Sequence, residues 1–190
     1  RRQPFLKITK PIEVSDRGRR VRIEPASSSR ITYTIQYNHP LIQTQTYTFD
    51  WSVSAFEEEI ARARTFGFLQ EVEMLWAKGL AKGGTLDNTV VLTEQGVMNE
   101  SGLRFQDEFV RHKVLDLIGD VALLGLPVIG HLVADRSGHA LHTKLVETIL
   151  RQPECWTLVQ SDEAVTSAAQ VKPVSASYSL APAMAASPAF

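Results

Sequence analysis

Phe105-Gln106-Asp107-Glu108-Phe109-Val110-Arg111-His112-Lys113-Val114-Leu115-Asp116-Leu117-Ile118-Gly119-Asp120 repeats its apolar residues at the three- and four-residue spacings of a buried helical stripe. Phe109, Val110, Val114, Leu117 and Ile118, continued by Val121, make up that stripe, and the spacing predicts a helix. Residues four apart stand one turn above another, so His112, Asp116 and Asp120 form a column of one imidazole and two carboxylates. An apolar run over residues 121–129 follows directly, so much of the helix is buried and the column should face a cleft. One reading of the column is a solvated face whose i,i+4 His–Asp pair is worth about a few tenths of a kcal/mol. The other is a metal site, since a neutral histidine and a carboxylate are good zinc ligands and catalytic zinc takes three protein ligands plus water. Spacing alone leaves both open.

With 190 residues and a net charge of −1, the chain suits one domain of ordinary size plus a tail, and no charge bias points to nucleic acid. The single Cys155 excludes an internal disulfide and fits a reducing compartment, and nothing near it in sequence would activate it. No apolar run approaches the roughly 20 residues of a bilayer span, and no signal-peptide layout is present. A soluble, cytoplasmic chain without a membrane span is expected. It begins Arg1-Arg2-Gln3-Pro4, as a fragment starting in an interdomain linker would.

Toward the N-terminus, Leu6/Ile8, Val21/Ile23 and Ile31/Tyr33/Ile35/Tyr37 alternate with polar residues as half-buried antiparallel strands do. Asp16-Arg17-Gly18 reads as a turn between the first two, and a fourth strand over residues 43–50 follows a turn at Asn38-His39-Pro40. Arg17, Arg19, Arg20 and Arg22 read either as a phosphate patch or, more ordinarily, as solvated edge charge on a hairpin. Ser54 and Glu57 have capping-box spacing for a helix to about residue 62. Gly67 between Phe66 and Phe68 suggests a bend turning aromatic rings toward a cleft, with ordinary core packing as the alternative. Leu69, Val72, Leu75 and Trp76 form a helical stripe, broken by Gly83-Gly84 before a short strand at residues 88–92.

Beyond the central helix, residues 128–134 read as one buried strand, and Ser137 is placed to cap a last helix from His139 to about residue 150. A carboxylate at Asp120 would favour the imidazolium form of His139. Residues 161–190, rich in Ala, Ser, Pro and Val without a period, are expected to be disordered.

Three motifs in order, Ala63-Arg64-Thr65-Phe66-Gly67-Phe68, the run over residues 102–120, and Ser137-Gly138-His139-Ala140-Leu141, resemble the UDP-3-O-acyl-N-acetylglucosamine deacetylases, zinc amidases of lipid A synthesis. The resemblance covers about residues 6–156. Together with the strand and helix pattern it implies an α+β fold, a two-layer sandwich of a mostly antiparallel sheet packed on helices. Residues 1–157 would be the family's second, C-terminal domain, with a β-α-β insert at about 68–99, and residues 158–190 a tail.

The resemblance also implies roles. His112 and Asp116 would hold Zn2+, and His139 would be the cationic acid that stabilises the oxyanion and protonates the leaving amine. Asp120 would orient His139, and Thr65 would donate to the oxyanion. Lys113 and Arg136, the latter where relatives usually have lysine, would bind the UDP-sugar. Phe66 would face the cleft, while Phe68, Leu69, Val72, Ala81, Leu86 and Val91 would line a passage for the acyl chain as well as pack the insert.

The family's third zinc ligand, a histidine, and its general base, a glutamate, belong to a first domain that these residues do not include. A two-ligand site should bind zinc weakly, and losing the base alone should cost roughly 10² to 10⁴ in rate, so the chain is expected to be inactive alone. The competing reading is a non-catalytic module binding UDP-sugar or acyl chain, which needs no zinc. A third is a metal amidase completed in a homodimer, with His142 or His131 supplied in trans.

Overall fold

In the computed structural model, which describes residues 3–160, the alternating segments become strands with one buried face. β1 (Pro4–Ile8) buries Leu6 and Ile8, β2 (Ile12–Asp16) buries Ile12 and Val14, and β3 (Arg19–Glu24) buries Val21 and Ile23. β4 (Arg30–Gln36) turns Ile31, Tyr33 and Ile35 inward, and β5 (Thr44–Asp50) lies antiparallel beside it. β2 is an addition to the expected strands, with Ile12 and Val14 alternating with Glu13 and Ser15. The turn at Arg17 and Gly18 therefore joins β2 to β3. Both residues have left-handed φ, 47° and 76°, as a two-residue primed hairpin turn requires.

The stretch expected to be one strand at residues 128–134 is two. β8 (Val128–Ile129) pairs with β1, whereas β9 (His131–Asp135) runs between β3 and β4. Gly130 is the switch between sheets, where a Cβ would stand 3.0 Å from Ile8 Cγ1 and 3.2 Å from both Ile23 Cγ1 and the Glu24 carbonyl oxygen. Only glycine lets the chain pass so close to the Glu24 backbone and the Ile8 and Ile23 side chains. The result is a five-stranded sheet, β2-β3-β9-β4-β5, antiparallel except for β4 and β9.

Two helices cover one face of this sheet. α3 (Glu108–Val121) lies over β4 and β5, and α4 (His139–Arg151) over β2 and β3. The predicted stripe Phe109, Val110, Val114 and Leu117 is fully buried in a core shared with Tyr33 and Phe49, while Ile118 is only partly buried beside it. The fold is thus the expected α+β sandwich of an antiparallel-rich sheet on helices.

Two caps differ from expectation. Ser52, not Ser54, caps α1 (Val53–Ala55), its hydroxyl accepting from the Ala55 N–H at 3.0 Å, and the turn continues as a π-helix, Phe56–Ile60. The chain becomes helical one residue after Ser52, which leaves Ser54 inside. Gly138, extended and without a side-chain bond, precedes α4, because the Ser137 hydroxyl is engaged elsewhere.

β6 (Thr65–Phe68), α2 (Leu69–Ala77) and β7 (Thr89–Leu92) form the β-α-β insert, its two strands parallel. β10 (Trp156–Gln160) pairs antiparallel along the whole of β1. The tail expected at residues 161–190 lies outside the described residues. Among the described residues no helix is long and apolar enough to cross a membrane.

Candidate active site

The polar column on α3 is formed, on the side away from the buried stripe. His112 Nε2 stands 3.2 Å from Asp116 Oδ1, and His112 Nδ1 lies 3.3 Å from the Ala63 carbonyl oxygen. If Nδ1 donates to that carbonyl, the Nε2 lone pair faces a carboxylate oxygen. Two acceptors face each other in this way only with a proton or a cation between them. Ligand atoms of one tetrahedral zinc stand roughly 3.3 Å apart, so this edge fits two sites of such an ion.

Asp116 is also held by Lys113, whose Nζ is 2.7 Å from Oδ2. Burial would raise the Asp116 carboxyl, but the His112 bond and the Lys113 charge outweigh it and hold it far below the usual range. The carboxylate stays ionised, as a ligand must.

α4 delivers the second half of the column's partners. His139 Nδ1 is 2.7 Å from Asp120 Oδ2, and its Nε2 reaches to 3.9 Å from Asp116 Oδ2. The His139 side chain is half exposed, whereas Asp120 is mostly covered. Burial pushes the Asp120 carboxyl up, yet the bonds from His142 and His139 bring it below its ordinary value.

His142, which the sequence reading offered only as a ligand supplied in trans, is fully buried with Nδ1 2.8 Å from the same Asp120 oxygen. Its other nitrogen meets Ser137 Oγ at 2.8 Å and the Tyr33 hydroxyl at 3.2 Å. A tyrosine at an inward position of β4 must find a partner for its hydroxyl, which was the available signal for this network. Asp120, His139 and His142 place three potential ligand atoms within 4.8 Å of one another. The 2.7 and 2.8 Å contacts are those of N–H···O bonds, with protons where an ion would sit.

Thr65 is exposed at the start of β6. The preceding residue anchors it, since Arg64 forms a buried pair with Glu108 at the first turn of α3, its Nε 2.9 Å from Oε1.

A cleft of about 1320 Å³ opens beside the column, between the insert and the β2–β3 and β4–β5 turns. Lys113, Arg136, Phe66 and Phe68 line it together with Arg17 and Arg19. Gly67 lies inside the regular strand β6 and makes no bend; strand alternation puts Phe66 and Phe68 on one face toward the cleft, with Phe66 edge-on against Tyr37 and Phe109. On α2 the lining residues are Glu71, Met74 and Leu75, one helical face, followed by Lys78 just past its end. Leu69 and Val72 project from the other side of α2, with Val72 Cγ2 3.3 Å from where a Gly67 Cβ would be. Ala81 and Leu86 are exposed in the connection to β7, and Val91 is buried in β7; these five lie outside the cleft lining. His131 sits between Glu24 and Thr32, at 3.3 and 3.0 Å, which occupies both its nitrogens.

Residues 1–151 match the family model described as UDP-3-O-acyl N-acetylglycosamine deacetylase. Among curated relatives, the UDP-3-O-acyl-N-acetylglucosamine deacetylase of Syntrophotalea carbinolica is 49% identical over 166 residues, 87% of this chain and 54% of the relative. The enzyme of the same name from Wolinella succinogenes is 48% identical over 158 residues, 83% of this chain and 53% of the relative. That of Myxococcus xanthus is 49% identical over 155 residues, 82% of this chain and 49% of the relative. The chain spans about half the length of the curated relatives it matches. With the three motifs assembled around one cleft and nearly half the residues shared along the whole matched length, the chain belongs to the UDP-3-O-acyl N-acetylglycosamine deacetylase family.

Proposed function

We propose that this chain is one half of a zinc-dependent amidase that removes the N-acetyl group from UDP-3-O-acyl-N-acetylglucosamine, a cytoplasmic step of lipid A synthesis. The observation that carries the reading is the 3.2 Å edge between His112 Nε2 and Asp116 Oδ1, with the His139–Asp120 pair turned toward the same carboxylate. Zinc bound at that edge would supply Lewis acidity, acidifying a water and polarising the amide carbonyl.

The chain's own residues do the rest. His139, held at Nδ1 by Asp120, presents Nε2–H to the oxyanion and then gives that proton to the leaving amine. Thr65 donates a hydrogen bond to the same oxyanion. Lys113 and Arg136 meet the anionic UDP-sugar across the cleft, and Phe66 and Phe68 offer its 3-O-acyl chain an apolar wall. Leu69, Val72, Ala81, Leu86 and Val91 would extend the chain's path through the insert. The third zinc ligand, a histidine, and the general base, a glutamate, come in this reading from the part of the relatives' length that this chain does not span. Completion by a second copy through His142 or His131 is disfavoured, since both are already bonded on both nitrogens.

Zinc titrated into the metal-stripped chain by calorimetry tests the proposal. Weak binding that vanishes in Asp116→Ala, with deacetylation appearing once the remaining half is supplied, is the expected result. Tight one-to-one binding that survives Asp116→Ala would overturn it. No zinc binding, with UDP-sugar still bound, would favour a non-catalytic binding module.

A further inference from the structure

Asp120 Oδ2 receives two imidazoles from successive turns of α4, Nδ1 of His139 at 2.7 Å and Nδ1 of His142 at 2.8 Å. The His139 side chain is half exposed. His142 has no exposed surface and cannot touch substrate. We infer that His142 is a positioning residue for the His139–Asp120 pair, its Nδ1–H fixing the Asp120 carboxylate so that His139 keeps one orientation. The inference rests on His139 being the acid of the proposed hydrolase.

The proton inventory supports it. Burial pushes the His142 imidazole below its ordinary range, with Asp120 acting the other way, so the ring carries one N–H. That proton belongs on Nδ1, because Asp120 can only accept there, whereas Nε2 faces a hydroxyl that can donate. Ser137 Oγ supplies the donation at 2.8 Å, and the Tyr33 hydroxyl is spent on the Ser137 carbonyl, also at 2.8 Å. The Tyr33 ring braces the imidazole edge-on, with centroids 5.9 Å apart. Among the described residues the buried side-chain polar atom without a partner is Arg22 Nε, which is no part of this network.

The terminal torsion of an aspartate is broad, so one imidazole on one oxygen leaves the carboxylate free to swing. A second donor at the same oxygen, itself held by buried partners, removes that freedom. Such outer partners orient a functional histidine as much as its direct neighbour does.

Nuclear magnetic resonance of the whole 190-residue chain, with isotopically labelled histidine, tests the inference without any turnover. His142 should be neutral with its proton on Nδ1. A neutral His142 protonated on Nε2 would overturn the inference in the unmodified chain. Two variants then separate positioning from packing. His142→Asn places an amide N–H near the Nδ1 position and faces Asp120, whereas His142→Gln places one near Nε2 and faces Ser137.

The His139 Nδ1–H signal should persist in His142→Asn and be lost to water exchange in His142→Gln. Any other pattern in the folded variants overturns the inference, and a purely structural role predicts the reverse pattern. Zinc calorimetry on the same samples keeps the two ideas apart, because His112 and Asp116 are untouched. An unmodified chain that bound no zinc would count against the hydrolase and leave the tautomer result standing.

Discussion

Glu108 Oε1 accepts both the backbone N–H and the side-chain Nε of Arg64, each at 2.9 Å, in a pair buried on both sides. Its other oxygen takes the guanidinium again at 3.1 Å and the Arg104 backbone N–H at 2.6 Å. The first turn of α3 is thereby tied to the residue before Thr65. Removing one partner of a buried pair leaves the other charge uncompensated, so Glu108→Gln should cost about 3–5 kcal/mol in urea unfolding near neutral pH. A loss below about 1 kcal/mol would mean that water reaches Arg64 and that the tie is weak.

The same group fixes the sign of an acid limb. Burial acts to raise the Glu108 carboxyl, but the bonds from Arg64 and Arg104 hold it below the ordinary 4.5. As pH falls, the unfolded chain takes up this proton first. Its contribution is therefore complete above 4.5 and disappears as pH falls through the lower folded value. Unfolding free energies measured downward from neutral pH should fall less steeply below 4.5 in Glu108→Gln than in the unmodified chain. Parallel profiles would assign the limb to Asp116 and Asp120 instead, which are shifted the same way.

Tyr33 and Ser137 lie more than a hundred residues apart and are joined by the Tyr33 hydroxyl donating to the Ser137 carbonyl at 2.8 Å, with Ser137 Oγ 3.0 Å from the same hydroxyl. Tyr33→Phe leaves the Ser137 carbonyl without that donor and should cost about 1–3 kcal/mol. Ser137→Ala should cost a similar amount. A double-mutant cycle by chemical denaturation should give a coupling of about 0.5–3 kcal/mol, since both deletions damage one network. Strict additivity would mean that the three groups are neighbours only.

Much of this architecture is legible in the sequence because its periods are local. The helical stripe of α3 and the alternation of β4 depend on residues within one element, and both appear where expected. What the sequence conceals depends on contacts between distant segments. Gly130 looks like part of an unbroken apolar run, and only the approach of Ile8 and Glu24 shows why the strand must change sheets there. His142 looks spare because its value comes from Asp120 on another helix and Tyr33 on a strand. The cleft face of α2 is a similar case, since Leu69, Val72 and Leu75 are equally apolar and helix rotation alone brings Leu75 to the lining.

Gly130→Ala tests the sheet switch. The added Cβ would meet the Glu24 carbonyl oxygen at 3.2 Å, and backbone cannot yield as a side chain does. The expected loss is about 1–3 kcal/mol. Trimming Ile8 or Ile23 to valine in the same chain should recover little of it. Full recovery would show that the side chains, at 3.0 and 3.2 Å, set the limit rather than the backbone.

Lys113 offers the sharpest contrast between a metal site and a plain polar column. Its Nζ lies 2.7 Å from Asp116 Oδ2, so Asp116 already has a cation on the oxygen away from His112. If zinc occupies the His112–Asp116 edge, Lys113 repels it. Taking one positive charge from about 5 Å of a dication is worth roughly 1.5–2 kcal/mol even at the dielectric of water. Lys113→Met should then raise the calorimetric affinity for zinc on the order of tenfold. It should also weaken the hold on UDP-sugar, because the same side chain lines the cleft. Affinities for zinc and for the sugar would thus move in opposite directions. A fall in both would show that Lys113 is needed to aim the Asp116 carboxylate, and that its charge on the metal is the smaller effect.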